Sequence, residues 1–132
     1  MRLLHPKDWA PTKGFSNGVA AEGRHVFVAG QIGWNAQQEI VSDDFVAQVD
    51  QALRNIVAIL AEADARPEHL VRLTWYVTDK RVYLARVKEV GETYKAVIGR
   101  HYPAMTLVQV AALLEDRALV EIEATAIVPN SP

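Results

Sequence analysis

Glu121 and Glu123 stand two residues apart in Val120-Glu121-Ile122-Glu123-Ala124-Thr125-Ala126-Ile127-Val128, a run that alternates in polarity. Successive side chains of an extended chain point to opposite faces. Val120, Ile122, Ala124, Ala126 and Val128 therefore share one face, and Leu119, Glu121, Glu123, Thr125 and Ile127 the other. The two carboxylates have α-carbons about 7 Å apart, so they line either a wet surface or the wall of a polar cavity. The apolar face of the same strand has to be covered.

Other chemistries lack their residues. The four histidines, His5, His25, His69 and His101, never fall at paired ligand spacing and have no acidic cluster beside them, so no metal site is expected. Gly18, Gly30 and Gly33 are not followed by the strand-to-helix turn of a phosphate loop, and no serine sits in a nucleophile elbow. With no cysteine there is neither a thiolate nor a disulfide, which suits a reducing compartment.

Composition narrows the class further. The 132 residues, half of them hydrophobic and 23% charged, fit one globular domain spanning 1–132 with a core of its own. A net charge of −2 gives no basic stripe; Lys80-Arg81 and Arg86-Lys88 are interleaved with Glu89 and Glu92, so no nucleic-acid partner is expected. No stretch approaches the length of a membrane span and no signal peptide is evident. A cytoplasmic location and no membrane partner follow as expectations.

The elements that would position the two acids read as follows. Residues 9–18 are turn-rich, with Trp9 and Phe15 exposed in a segment that lies on the surface or drapes over a partner. Val19-Ala20-Ala21 and Arg24–Ala29 flank Glu22-Gly23 as a hairpin, and the second strand ends in Gly30-Gln31-Ile32-Gly33, where another backbone or a ligand can come close. Ser42 is expected to cap a helix with Asp43 and Asp44 in its first turn. Phe45, Val49, Ala52, Leu53, Ile56, Val57 and Leu60 form its apolar face, and Gln48, Gln51, Arg54 and Asn55 lie opposite. Leu70–Thr78 alternates as a strand, with Trp75 among its core positions. Asp79 caps a second helix through Tyr83, Val87, Val90, Tyr94 and Val97, which ends at Gly99. Strands over 101–110 and 119–128 complete an α+β layer with both helices on the apolar side of a mixed sheet.

Several segments of this pattern carry a resemblance. Val26-Phe27-Val28-Ala29-Gly30-Gln31, the helix with Gln48 and Leu53-Arg54-Asn55-Ile56, Tyr76-Val77-Thr78-Asp79, Tyr102-Pro103-Ala104 and Val120-Glu121-Ile122-Glu123-Ala124 resemble the Rid (reactive intermediate deaminase, YjgF-type) family from about Gly14 to Val128. The resemblance implies a chorismate-mutase-like α+β protomer with two helices packed on one sheet face. It implies a homotrimer in which three sheets form a central barrel, with a small-molecule ligand in each cleft between subunits and no cofactor. The polar sheet positions Thr74, Tyr76, Gln109, Glu121 and Glu123 suit an enclosed face.

The resemblance also implies a reaction, hydrolysis of 2-imino or 2-enamino acids to 2-keto acids and ammonia. That reaction needs a cation to hold the substrate carboxylate and an acid or base to position water. In the family an arginine two residues after the proline grips the carboxylate, and here the position is Met105. The family's tyrosine is Phe15, its serine before Gly30 is Ala29, and, with the second helix aligned without gaps, its asparagine is Gly91. The expected site is therefore Glu121 as the catalytic group, with Phe15, Ala29, Gly30, Gly91 and Met105 around the substrate. Such a cleft is more apolar than the family's and suits a larger or uncharged ligand.

Each of these residues has a second reading. Glu121 can pair with Arg72 or another basic group instead, Glu123 is read as structural, and Met105 can simply fill apolar space. Trp34 can wall a ligand or pack at a subunit interface. The expected function is an imine or enamine hydrolase with a divergent site and a non-standard substrate. The alternative is a non-catalytic, ligand-binding or protein-interaction homotrimer on the same scaffold. Ribonuclease activity, attached to some family members, is disfavoured by the acidic balance.

Overall fold

The computed structural model describes residues 1–130, which form a four-stranded sheet with helices on one side and a small N-terminal ribbon. The sheet comprises β3 (Arg24–Ile32), β4 (Leu70–Val77), β5 (Ala104–Gln109) and β6 (Val120–Val128). Its spatial order is β3-β6-β4-β5. The alternating strand that carries Glu121 and Glu123 is therefore interior, antiparallel to β3 and to β4, while β5 runs parallel to β4 along one edge. The ribbon pairs β1 (Arg2–Leu4) with β2 (Gly18–Ala20).

One face of the sheet is dry. Leu73, Trp75 and Val77 of β4, and Val120, Ile122, Ala124 and Ala126 of β6, are buried against Phe45, Val49, Leu53, Ile56 and Leu60 of α1 (Phe45–Glu62). Each such side chain contributes about 1.5–3 kcal/mol when fully removed from water. α1 lies across β3 and β6, and α3 (Val87–Val97) packs against α1. Among the described residues no helix covers the opposite face. There Phe27, opposite Thr125 on β6, is 74% exposed. No described helix is long and apolar enough to cross a membrane.

Several expectations are corrected. β2 does not form a hairpin with the next strand; it pairs with β1, and β3 pairs with β6. Gly23 lies so close to the end of β6 that a Cβ there would stand 2.0 Å from the Val128 carbonyl oxygen. The Glu22-Gly23 turn thus delivers the chain onto β6. The cap of α1 is Asp44, whose carboxylate accepts from the Ala47 amide at 3.0 Å, while the Ser42 hydroxyl accepts from the Asp44 amide. Gln48, expected on the polar face, is completely buried. Its amide donates to the Ser42 and Arg117 carbonyls and accepts from the Leu119 amide, at 2.8–3.0 Å.

The expected second helix is two, α2 (Lys80–Ala85) capped by Asp79, and α3, separated at Arg86, where φ is −122° and ψ is 23°. Arg86 bonds Glu89 one turn ahead and reaches back to Asp44 at the start of α1. Gly99 ends α3 with φ +97°, as a helix terminator. In β4 a bulge between Leu70 and Arg72 shifts the first turn of the alternation, so Leu70 rather than Val71 is buried.

Candidate functional site

A cavity of about 890 Å³ opens on the helix side of the sheet, over β4 and β5. Its place follows from the packing. α1 covers β3 and β6 and α3 leans on α1, so the apolar positions of the other edge meet no helix squarely. Trp75, Met105 and Leu107 form the floor, with Met105 beside Leu73 and Leu107 beside Trp75 in the β4–β5 register. Tyr83 of α2 and Val87, Val90, Gly91 and Tyr94 of α3 form one wall. Lys13, Gly14, Phe15 and Tyr102 close the end.

That end is fixed by backbone. The Ser16 amide donates to the Pro103 carbonyl and its hydroxyl to the Tyr102 carbonyl, which ties the turn-rich segment to the start of β5 and sets Phe15 at the cavity mouth. Tyr102 stacks on Tyr94 with ring centroids 5.4 Å apart. The Tyr94 hydroxyl donates to the His101 carbonyl, and His101 Nε2 lies 2.7 Å from the Leu70 carbonyl oxygen. Burial pushes the Tyr83 and Tyr94 hydroxyls above the usual tyrosine range, so both stay neutral near pH 7. The one buried side-chain polar atom without a partner among the described residues, Trp75 Nε1, belongs to the floor.

Charge sits at the rim. Lys13, Lys88, Glu92 and Lys95 line the cavity, and none of them forms an ion pair among the described residues. Lys88, Gly91, Glu92 and Lys95 recur at three, four and seven residues, which puts them on one stripe of α3. From the sequence, Lys88 and Glu92 are weighed only against a nucleic-acid partner, and Lys95 is not singled out. The spacing around Gly91 was the signal that could have singled them out.

The other half of the expected site lies elsewhere. Glu121 is opposite Tyr76, and Glu123 opposite Thr74, on the open sheet face. Glu123 accepts from the Tyr76 hydroxyl at 2.8 Å, and that bond, with some burial, raises the Tyr76 pKa. Glu121 has no ion pair or hydrogen bond among the described residues, to Arg72 or to any other group. Its carboxylate lies over the bulge of β3: a Cβ on Gly30 would come within 2.3 Å of Glu121 Oε2. Ala29, next to it, is exposed. Trp34 is half-buried, its carbonyl bonded by the Asn55 amide, and is not part of the cavity lining.

Within one chain the structure therefore joins Phe15, Gly91 and Met105 in the cavity, and Gly30 with Glu121 on the opposite face, and does not join the two groups. The period of two explains the split. Met105 is level with Leu73, which faces the helices, and Glu121 is level with Tyr76, which faces away. Among the described residues no three His, Asp or Glu side chains gather to hold a metal ion.

Comparison with known proteins bears on both halves. The family model described as endoribonuclease L-PSP matches residues 6–128. A RutC family protein from Pyrococcus abyssi is 37% identical over 105 residues, 79% of either chain. The 2-iminobutanoate/2-iminopropanoate deaminase of Salmonella typhimurium is 33% identical over 108 residues, 80% of either chain. Among solved structures, the conserved Rid family protein YyfB from Yersinia pestis superimposes with a TM-score of 0.86 at 35% identity, covering 96% of this chain and 98% of that one.

Proposed function

This chain belongs to the Rid family, the one matched by the endoribonuclease L-PSP model, and from that premise we propose that it is a cofactor-independent hydrolase of imines or enamines. The site is completed between subunits of a homotrimer. One protomer supplies the cavity with Phe15, Gly91 and Met105. The neighbour supplies Glu121 and the Gly30 backbone, with Ala29 beside them, from its open sheet face. The observation that carries this reading is the unpartnered Glu121 carboxylate, held over a glycine and on the face that has no helix to cover it.

In the reaction Glu121 takes a proton from a water as its oxygen bonds to the C=N carbon. Glu121 returns that proton to the nitrogen, giving a carbinolamine, then takes the hydroxyl proton and passes it to the nitrogen, which leaves as ammonia as the C–N bond breaks and the C=O bond forms. A positioned general base of this kind contributes about 10²–10⁴-fold. The family relative named as a deaminase acts on imino acids by its name, which supports the reaction class for this chain. The family description also names an endoribonuclease. Sixteen acidic against fourteen basic residues and no basic stripe favour the small-molecule reading.

The test is subunit mixing. Glu121→Gln and the cavity-blocking Gly91→Trp are each expected to reduce hydrolysis of freshly generated imino acids about 100-fold. Refolded together at equal amounts, they should regain about one quarter of wild-type activity, because one site in four pairs an intact cavity with an intact Glu121 in a closed ring of identical contacts. No recovery on mixing, with both variants trimeric, rules out a shared site. A monomer by light scattering does the same. Binding of imines without turnover by the wild type points instead to a ligand-binding trimer.

A further inference from the structure

We infer, resting on the cavity as the ligand site, that the ligand is a carboxylate with a bulky apolar or aromatic body, and that Lys13, Lys88 and Lys95 hold its charge. The resemblance implies that Met105 stands where the family's arginine grips the substrate carboxylate, so the cleft lacks that clamp. The structure places three lysines and one glutamate around that cleft, an excess of positive charge, and none of the four is neutralised by an ion pair among the described residues.

The arrangement differs from a guanidinium clamp in a way that selects for size. An arginine grips a carboxylate with two parallel bonds from one point. Lys88 and Lys95 stand two helical turns apart, about 10 Å along the axis of α3, and Lys13 approaches from the loop across the mouth. Such a rim is a broad positive field and gives a small imino acid no fixed fork to dock on. A large ligand gains its orientation from the floor instead. Trp75, Met105 and Leu107 offer a flat apolar surface, with Phe15, Tyr83 and Tyr102 at its edges. In one protomer the open cavity holds about 890 Å³, against roughly 300–1,000 Å³ for ligand-binding pockets, which leaves room beneath the neighbour's sheet face for a body larger than a four-carbon acid.

Binding of keto-acid products tests this apart from turnover. Phenylpyruvate, pyruvate and the uncharged phenylacetone are titrated calorimetrically into the wild-type protein and into Lys88→Gln/Lys95→Gln, with Lys95→Gln alone and Lys13→Gln as milder variants. Phenylpyruvate is expected to bind about tenfold or more tighter than either of the others, and about tenfold or more weaker to the double variant, as befits the loss of one or two charge-assisted bonds. The single variants fall between, and all variants keep the wild-type circular dichroism. The idea is overturned if phenylpyruvate fails to bind, binds no better than pyruvate or phenylacetone, or is indifferent to the lysines. Because no step of hydrolysis enters, the lysine rim survives if no imine is ever turned over. Conversely, an active enzyme that prefers pyruvate-sized ligands sinks the rim and leaves the hydrolase reading standing.

Discussion

The two faces of the sheet are built from the same strands and have opposite characters. On the helix side, apolar packing runs out beyond α1 and leaves a cavity with an aromatic and apolar lining and unpaired cations at its rim. On the open side, Tyr76 and Glu123 satisfy each other while Glu121 lies unpartnered above Gly30, near an exposed Phe27. One face has binding surface without a base, and the other has a base without a pocket. A period-two strand cannot give both to the same side from adjacent positions, and in the proposed reading a second copy brings the two faces together. Substitutions that damage both faces, only the open face, or only the cavity face probe that division.

The largest effect on the whole frame is expected at Gln48. Its buried amide bonds the Ser42 and Arg117 carbonyls and the Leu119 amide, and so joins the start of α1 to the entrance of β6 that leads into Glu121. Gln48→Leu keeps the volume and strands all three backbone groups. Since they are partly reachable by water, the cost is about 3 kcal/mol rather than the sum of three full penalties. Urea denaturation should show a lower midpoint with an unchanged slope. A loss below about 1 kcal/mol means that water replaces the amide and the joint is not structural.

Gly30→Val acts on the open face alone. The new side chain would occupy the space of the Glu121 carboxylate, and because the colliding atoms are the far end of a flexible side chain, the glutamate swings away at little cost to the fold. Turnover of imines should fall about as far as for Glu121→Gln, on the order of 100-fold, while the lysine dependence of phenylpyruvate binding, which rests on the cavity rim, is retained. Gly33→Ala is the control for steric damage. There the added Cβ would meet the Gln48 Cα and Cβ at 2.6–2.7 Å, so the helix itself must move and stability falls by about 1–3 kcal/mol. If Gly30→Val destabilises like Gly33→Ala but leaves turnover intact, Glu121 is not the base.

How much of this was legible beforehand depends on whether the deciding partners were local. The alternation of β6, the apolar stripe of α1, the core position of Trp75 and the Gly99 stop rest on periodicity and turn chemistry, and the structure has them as read. Gln48 was misread because its three partners lie six, sixty-nine and seventy-one residues away. The hairpin was misread because a two-residue turn looks the same whether the next strand folds back or continues to a distant one. The break at Arg86 has neither glycine nor proline to announce it. For the site, the resemblance pointed to residues that the structure places in two groups, and their separation onto opposite faces becomes visible only through the register of β4 with β5 and β6. Lys88 and Lys95 were hidden for another reason. A charged stripe on a helix is usually solvated, and only the cavity beneath α3 gives it a ligand to meet.

The smallest effect belongs to the cavity side. Asp44 caps α1 through the Ala47 amide and also receives Arg86 from the break between α2 and α3, so it ties the start of α1 to the junction of the two helices that wall the cavity. The bond from Arg86, followed by the cap bond, holds its carboxyl below the usual aspartate range. A folded-state pKa below the unfolded one means that the contribution is present in full above the unfolded value near 4. It is lost as pH falls through the lower folded value. The Asp44 side chain is 46% exposed, so screening limits the ion pair to at most about 1 kcal/mol. The cap adds about 1 kcal/mol. Asp44→Ala should therefore lower stability by about 1–2 kcal/mol at pH 7. Asp44→Asn, which keeps a capping oxygen but not the charge, should cost less than that and lose most of its deficit in 1 M salt. The gap between wild type and Asp44→Asn should narrow steadily as pH falls below about 4. A gap that neither narrows with acid nor shrinks in high salt would mean that the helices are held at this joint by packing rather than by charge. In that case the cavity wall is as rigid as the sheet behind it.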